Sequence, residues 1–313
     1  MSVEKEKNFV SCIIYLHNDE EQVCDFMKRI CGIMKQNFEK YEIICVNDGC
    51  IDDTVKEIKR YQEESGDTHA LSLINLSYYQ GMEAAMNAGR DLAVGDFLFE
   101  FDQCSMDFED DLVMKVYRRA LEGYDVVAAA PKKHVKFTSK MFYFIYNFGN
   151  RMKTKMRQER FRIVSRRAVN RVNQLNAYIP YRKALYMNCG LKFDTICYDN
   201  KEGIRKGRSW EEMGSRSSIA MDTIIIFSDI LEKLSMFLSI AFFVVLVIMF
   251  GDILYSIFGA EEPVEGWLSL MSLMSFGFFM LFVMLTLIFK YLSVILNMTF
   301  KRQRYVIEGV EKL

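Results

Sequence analysis

Histidine is scarce in this chain of 313 residues, with three copies, and none of the eight cysteines falls in a Cys-x-x-Cys pair. Those two absences exclude the usual zinc patterns. Cys12, Cys24, Cys31, Cys45, Cys50, Cys104, Cys189 and Cys197 are expected to be reduced structural thiols on the cytoplasmic side. Net charge is also scarce: 40 basic against 41 acidic side chains leave −1. With no interleaved aromatic and basic motif, nucleic acid is not an expected partner. The opening residues MSVEKEKN are polar, so no signal peptide is expected before the first domain.

Charge is missing altogether from one long stretch and nearly so from another. Gly266 to Phe289 reads GWLSLMSLMSFGFFMLFVMLTLIF with no charged residue, and Leu234 to Phe258 contains only Asp252. At 1.5 Å per residue, about 20 residues of helix cross a hydrocarbon core of roughly 30 Å. The sequence therefore predicts transmembrane helices over 234–258 and 266–289, a two-span hairpin. The loop between them, Gly259 to Glu265, has no Lys or Arg, whereas Lys290, Lys301, Arg302 and Arg304 follow the second span. The positive-inside rule then places both termini in the cytoplasm, leaving residues 290–313 as a cytoplasmic tail of a cell-membrane protein. Gly277 near Ser272 and Ser275 gives the second span a small-residue face compatible with helix association and a homo-oligomer.

Residues 1–215 read as a separate cytoplasmic domain. Apolar runs at Val10–Leu16, Tyr41–Val46, Leu71–Leu76, Phe97–Phe101 and Asp125–Ala130 alternate with helical stretches to about Gln36, over Lys56–Glu64 and over Gly81–Leu92. Asn18 or Asp19 is expected to cap the first helix. Strand, turn and helix in repetition predict an α/β fold with a mostly parallel doubly wound sheet that binds ligands at its carboxyl edge. Beyond the fifth strand, aromatics around residues 137–150, flanked by basic residues, predict a helix lying in the membrane interface, and residues 216–233 predict an amphipathic juxtamembrane helix. Asp102 stands at the carboxyl end of the fourth strand, where a carboxylate can face a nucleoside diphosphate or its metal. A metal bridging a diphosphate usually needs a second carboxylate close by, and two residues on stands Cys104.

Several segments together resemble the family 2 glycosyltransferases of GT-A fold, in particular the polyprenyl-phosphate enzymes related to dolichol-phosphate mannose synthase. They are Ile13 to Glu20, Val46-Asn47-Asp48-Gly49-Cys50-Ile51-Asp52-Asp53-Thr54, Gly81 to Gly89 with Gly95-Asp96, Arg160-Phe161-Arg162, Arg205 to Ser209, and the tail from Lys301 to Ile307. The likeness covers nearly the whole chain. It implies transfer of a sugar from a nucleotide-sugar to a polyprenyl phosphate at the cytoplasmic face, in the service of the cell envelope. It also implies a Mg²⁺ or Mn²⁺ ion, held by Asp102, that balances the departing diphosphate. By position, Leu16, Asn18, Glu20, Asp48, Gly81 and Asp102 would bind the nucleotide-sugar, and Lys132, Arg205 and Ser209 the acceptor phosphate. The resemblance further implies that Asp102 and Arg160 would stand at the catalytic positions.

The chain departs from the family at its chemical centre. The Asp-x-Asp motif reads Asp102-Gln103-Cys104, the following Gln position is Met106, and the Lys after the glycine is Met82. Arg160 stands in place of an Asp, and Tyr15 in place of a Pro. Thiols and thioethers are poor ligands for hard cations. Two readings follow: a divergent transferase, or a non-catalytic membrane protein of the same fold that scaffolds or regulates a partner such as a paralogous transferase.

Overall fold

The computed structural model describes residues 4–65, 70–132, 156–174, 181–188, 190–199, 266–300 and 305–313, with a few isolated positions between 143 and 251. Eight strands form a single sheet in the order β7-β5-β6-β4-β1-β2-β3-β8. Its centre is parallel: β1 (Val10–Leu16) lies between β2 (Tyr41–Asn47) and β4 (Phe97–Phe101), and β2 pairs with β3 (Ala70–Leu76). These are continuous apolar runs, as a sheet covered on both faces requires. Beyond β4, strand β6 (Phe161–Ser165) runs antiparallel between β4 and β5 (Val126–Pro131), and β7 (Phe193–Tyr198) adds parallel to β5.

Helices cover both faces. α1 (Val23–Asn37), α2 (Thr54–Ser65) and α4 (Asp111–Leu121) belong to one, where Phe26, Phe99, Phe101, Phe108 and Phe161 form an aromatic core. α3 (Met82–Leu92) and α5 (Arg166–Gln174) cover the other, over Ile13, Ile44, Leu98 and Val164. A short α6 (Arg182–Asn188) adds Leu185 and Tyr186 to that second core. Neither Asn18 nor Asp19 caps α1; its N-cap is Gln22, without a side-chain hydrogen bond, because the Asn18 amide is spent on the Ile51 backbone instead.

Residues 290–313 are not a free tail. α7 runs from Trp267 to Phe300, 34 residues, and β8 (Ile307–Lys312) pairs antiparallel with β3 at the sheet edge. Lys59 and Asn75 both bond Glu311, at 2.6 and 2.8 Å, and fix that strand. Within α7, Phe276–Leu296 is the one helix among the described residues long and apolar enough to cross a membrane, and 6% of its most apolar window is buried. Most of the expected first span lies outside the described residues. Its described positions, among them 240–245, are helical, and Phe237, Ile240 and Phe243 are exposed. Phe242 packs on Phe276 at 6.0 Å between ring centroids, and Asp222 pairs with Lys290 at 2.7 Å. The interface helix expected over 137–150, the 216–233 helix, Arg205 and Ser209 fall wholly or largely outside the described residues.

Candidate active site

Parallel strands β1, β2, β3 and β4 end side by side, so the turns that follow them make one carboxyl edge. After β1, Asn18 takes a left-handed conformation (φ 54°), tolerable for Asn because its short amide finds a local partner. That partner is the backbone N–H of Ile51, 2.8 Å away, and Glu20 accepts from the Asp53 N–H at 3.0 Å. Asn18 and Glu20 thus stitch the turn after β1 to the turn after β2. The second turn needs glycine: Gly49 has φ 64°, and a Cβ there would come within 2.8 Å of the Tyr79 nitrogen.

Asp48 is fully buried. Its carboxylate accepts from the backbone N–H groups of Gln80 (2.7 Å) and Gly81 (2.9 Å), at the start of α3, and from the Tyr15 hydroxyl (3.1 Å). Burial raises its pKa, and these hydrogen bonds pull against the rise. Leu16 is also fully buried, in the apolar core, and offers the edge only its backbone carbonyl, which accepts from the Asp48 N–H. The open surface comes from residues that sequence reasoning did not single out as site residues. His17 stacks at 4.6 Å on Tyr79, anchored by its ring nitrogen on the Asp48 carbonyl, and Ile51 is 93% exposed beside them. Cys50, half-buried at this rim, has its thiol pushed up to about 11, first by burial and then by Asp52 and Asp19.

At the end of β4 the structure holds a buried ionic cluster. Glu100 and Arg162 sit directly opposite one another on β4 and β6 and pair at 3.0 Å. Arg182, from α6, inserts its guanidinium among Glu83 (2.8 Å), Glu100 (2.6 Å) and Asp102 (3.0 Å). Arg162 takes the other oxygen of Asp102 at 2.8 Å and also Glu159 at 3.0 Å. Tyr186 donates to Glu100 at 2.7 Å, and its phenol pKa is raised by burial and by that carboxylate. The Lys183 ammonium lies 3.1 Å from Glu159 without hydrogen-bond geometry, and 5.0 Å from the centroid of the Tyr143 ring. The signal for the cluster was present in the sequence: one Glu inside Phe-Leu-Phe-Glu-Phe and one Arg inside Phe-Arg-Ile-Val-Ser, each a charge in a strand that must be buried.

The residues of the expected metal motif do not fit a divalent cation. Both oxygens of Asp102 are taken by guanidinium groups. Swinging the carboxylate to a metal would give up two buried charge-assisted hydrogen bonds, each worth about 1.5–3 kcal/mol. Cys104 does not face the edge: it is 2% exposed, packed in the aromatic core, with its thiol donating to the Tyr15 carbonyl at 3.6 Å. Gln103 and Asp107 are both occupied by Arg160, at 2.8 and 2.9 Å, and Tyr198 donates to Asp107 at 2.8 Å. Arg160 therefore fastens the loop after β4. Among the described residues no group of three or more His, Cys, Asp or Glu side chains could hold a metal. Lys132 stands apart, exposed and paired with Asp199 at 2.9 Å.

Comparison with known proteins gives the family and the fold. The family described as Glycosyl transferase family 2 matches residues 11–176, more than half of the chain. An uncharacterized glycosyltransferase of Synechocystis sp. is 29% identical over 231 residues, 70% of this chain and 69% of that protein. The undecaprenyl-phosphate 4-deoxy-4-formamido-L-arabinose transferase of Proteus mirabilis is 31% identical over 127 residues, 41% of this chain and 38% of that protein. Among solved structures, a mannosyltransferase from Pyrobaculum calidifontis in complex with GDP-Man and Mn²⁺ superposes with a TM-score of 0.53. That match has 14% identity and covers 71% of this chain and 64% of the other, slightly under two thirds of its length. At that identity the likeness shows the fold alone: mixed α/β around a central sheet, of the GT-A type.

Proposed function

The chain belongs to glycosyl transferase family 2, and on that footing we propose that it moves a sugar from a nucleotide-sugar to a polyprenyl phosphate at the cytoplasmic face of a membrane. The observation that carries the reading is the path of the chain after the family-matched region. An apolar helix of membrane-crossing length is followed within a few residues by β8, which pairs into the same sheet whose carboxyl edge forms the candidate site. A sheet cannot lie on both sides of a bilayer, so a chain that leaves the domain and rejoins it crosses an even number of times. Two crossings, over 234–258 and 266–289, fit the sequence. The contacts Asp222–Lys290 and Phe242–Phe276 fit two helices running antiparallel, since the lower number of one pair meets the higher of the other. The relative from Proteus mirabilis acts, by its name, on undecaprenyl phosphate, which supports a lipid phosphate as acceptor.

In this reading the turns carrying His17, Asn18, Glu20 and Tyr79 receive the nucleoside of the donor, while Asp48 and Gly81 shape the turn beneath it. Lys132, Arg205 and Ser209 hold the acceptor phosphate; Lys132 can turn from Asp199, since that pair is exposed and such pairs are worth little. The phosphate oxygen of the lipid attacks the anomeric carbon. A bond from that carbon to the new oxygen forms as its bond to the donor diphosphate breaks, and the nucleoside diphosphate leaves. The attacking phosphate is already an anion, so the step needs little help from a base. Arg160 keeps the loop after β4 in place through Gln103 and Asp107 and acts as a positioning residue. Asp102 is a member of the buried ionic cluster, and no step is assigned to a metal.

The test is product formation. Full-length protein in vesicles containing undecaprenyl phosphate is incubated with radiolabelled nucleotide-sugars, and the organic phase is examined for labelled lipid. Label in the lipid that depends on both substrates supports the proposal. No labelled lipid from any donor, with protein that is folded and reconstituted, contradicts it.

A further inference from the structure

A line of hydrogen bonds crosses the sheet at its carboxyl edge, in the order in which the strands lie: β8, β3, β2, β1, β4. It starts at Val306, just before β8, whose carbonyl accepts from the Gln80 side-chain amide at 2.7 Å and whose N–H donates to the Gln80 carbonyl oxygen at 2.8 Å. The Gln80 backbone N–H donates to Asp48 at 2.7 Å, and Tyr15 donates to the same carboxylate at 3.1 Å. The Tyr15 carbonyl in turn accepts from Cys104, in the loop after β4. Gln80 spends both ends of its amide on the N–H and the carbonyl of one residue, Val306, and together with the Ser77 N–H, which donates to the same carbonyl at 3.3 Å, carries the β3–β8 pairing past the register shift at Asn75 and Leu76. Tyr305 adds a bond to Asp91, on α3, at 2.9 Å. α7 ends at Phe300, only a few residues earlier.

We propose that Gln80 is a positioning residue that ties the donor-side turn at Asp48 and Gly81 to the strand returning from α7, so that the seating of this helix sets the shape of the nucleotide site. The assignment rests on the donor site proposed above. Gln80 itself need not touch the nucleotide. Its backbone fixes one oxygen of a fully buried carboxylate, and its side chain fixes the strand. Asp48 is fully buried, so a lost partner leaves its carboxylate poorly solvated. A loosened Gln80 therefore frees the start of α3 and the turn carrying Tyr79, which stacks on His17.

The test uses the full chain in detergent and compares wild type with Gln80→Leu, Gln80→Glu and Lys59→Met. Lys59→Met is the control, because Lys59 holds the same strand through Glu311 but at its far end. Two readouts are taken: affinity for the nucleoside diphosphate that stabilises the wild type, and hydrogen exchange over residues 77–84. Losing two neutral hydrogen bonds should weaken nucleotide affinity roughly tenfold in Gln80→Leu and speed exchange over 77–84. Gln80→Glu keeps an acceptor for the Val306 N–H and should fall between. Lys59→Met breaks an exposed pair, so it should move the melting temperature little and change neither readout. Equal affinity in all four proteins would overturn the proposal and leave Gln80 as an ordinary strand contact. If the wild type binds no nucleoside diphosphate, the donor reading fails, and the exchange arm still decides: unchanged exchange in Gln80→Leu removes the positioning role on its own.

Discussion

Replacing Arg182 by methionine takes one guanidinium out of the cluster at the end of β4 while keeping much of the volume. Glu83, Glu100 and Asp102 each lose a bond to it, at 2.8, 2.6 and 3.0 Å, and its side chain is 1% exposed. Removing one partner of a buried ion pair costs about 3–5 kcal/mol, because the charge left behind stays out of water. Arg162 still reaches Glu100 and Asp102, so the loss falls most heavily on Glu83. For a domain of this size each kcal/mol moves the melting temperature by about 2–4 °C, so a fall of roughly 6–20 °C is expected. The assay is thermal unfolding of the full chain in detergent, run with Arg182→Lys and with Arg182→Met/Glu83→Gln. The lysine keeps charge but not the three-way fork, and should lose less. The double variant removes the stranded charge, and its loss should be smaller than the two single losses added together. A change under about 1 kcal/mol in Arg182→Met, or strict additivity in the double variant, would refute the view that this cluster is a coupled buried unit.

The remaining predictions concern other parts of the molecule. Cys104→Asp, which restores the usual motif, should destabilise by several kcal/mol because it puts a carboxylate into the aromatic core, whereas Cys104→Ser should cost far less; equal melting temperatures would show that the side chain faces the edge instead. At Asp125, burial acts to raise the carboxyl, but hydrogen bonds from Arg167 and the Lys192 backbone outweigh it and hold the pKa below the ordinary aspartate value. That stabilisation is present in full above about pH 4 and is lost as the pH falls through the lowered folded value, so Asp125→Asn should flatten the acid side of a stability-against-pH curve. Gly49→Ala should lower nucleotide affinity as well as stability, since its backbone is left-handed and its Cβ would press on the turn that carries Tyr79.

The parallel half of the sheet was legible because β1 to β5 are apolar runs, and a fully covered strand must be one. β6 was read as a motif because Arg162 interrupts it; the charge is tolerated because Glu100 lies opposite and Asp102 and Glu159 complete its pairing. β8, Ile-Glu-Gly-Val-Glu-Lys, has the polarity of a solvent-facing edge strand and the position of a tail, and only pairing with β3 reveals it. Asn18, Glu20 and Asp48, expected at the site by position, stand in the turns of the carboxyl edge, and the Asp48 carboxylate is held by Gln80, Gly81 and Tyr15. The charge reversal at Arg160 was read as a change of chemistry, and in the structure it is an ion pair with Asp107. Side-chain direction decided the rest: nothing in the sequence showed that Cys104 points into the core or that two arginines enclose Asp102.

The most direct test of the donor site is titration of the purified full chain with UDP, GDP, CDP and TDP, each with Mn²⁺ and with EDTA, following thermal unfolding. A ligand that binds only the native state raises the melting temperature by mass action. One nucleotide should stabilise the protein, and by a similar amount with Mn²⁺ or EDTA, because the oxygens that would hold the ion are already bonded within the protein. Stabilisation that requires Mn²⁺ would contradict the place given to Asp102, and no stabilisation by any of the four in a cooperatively melting protein would contradict the donor site itself.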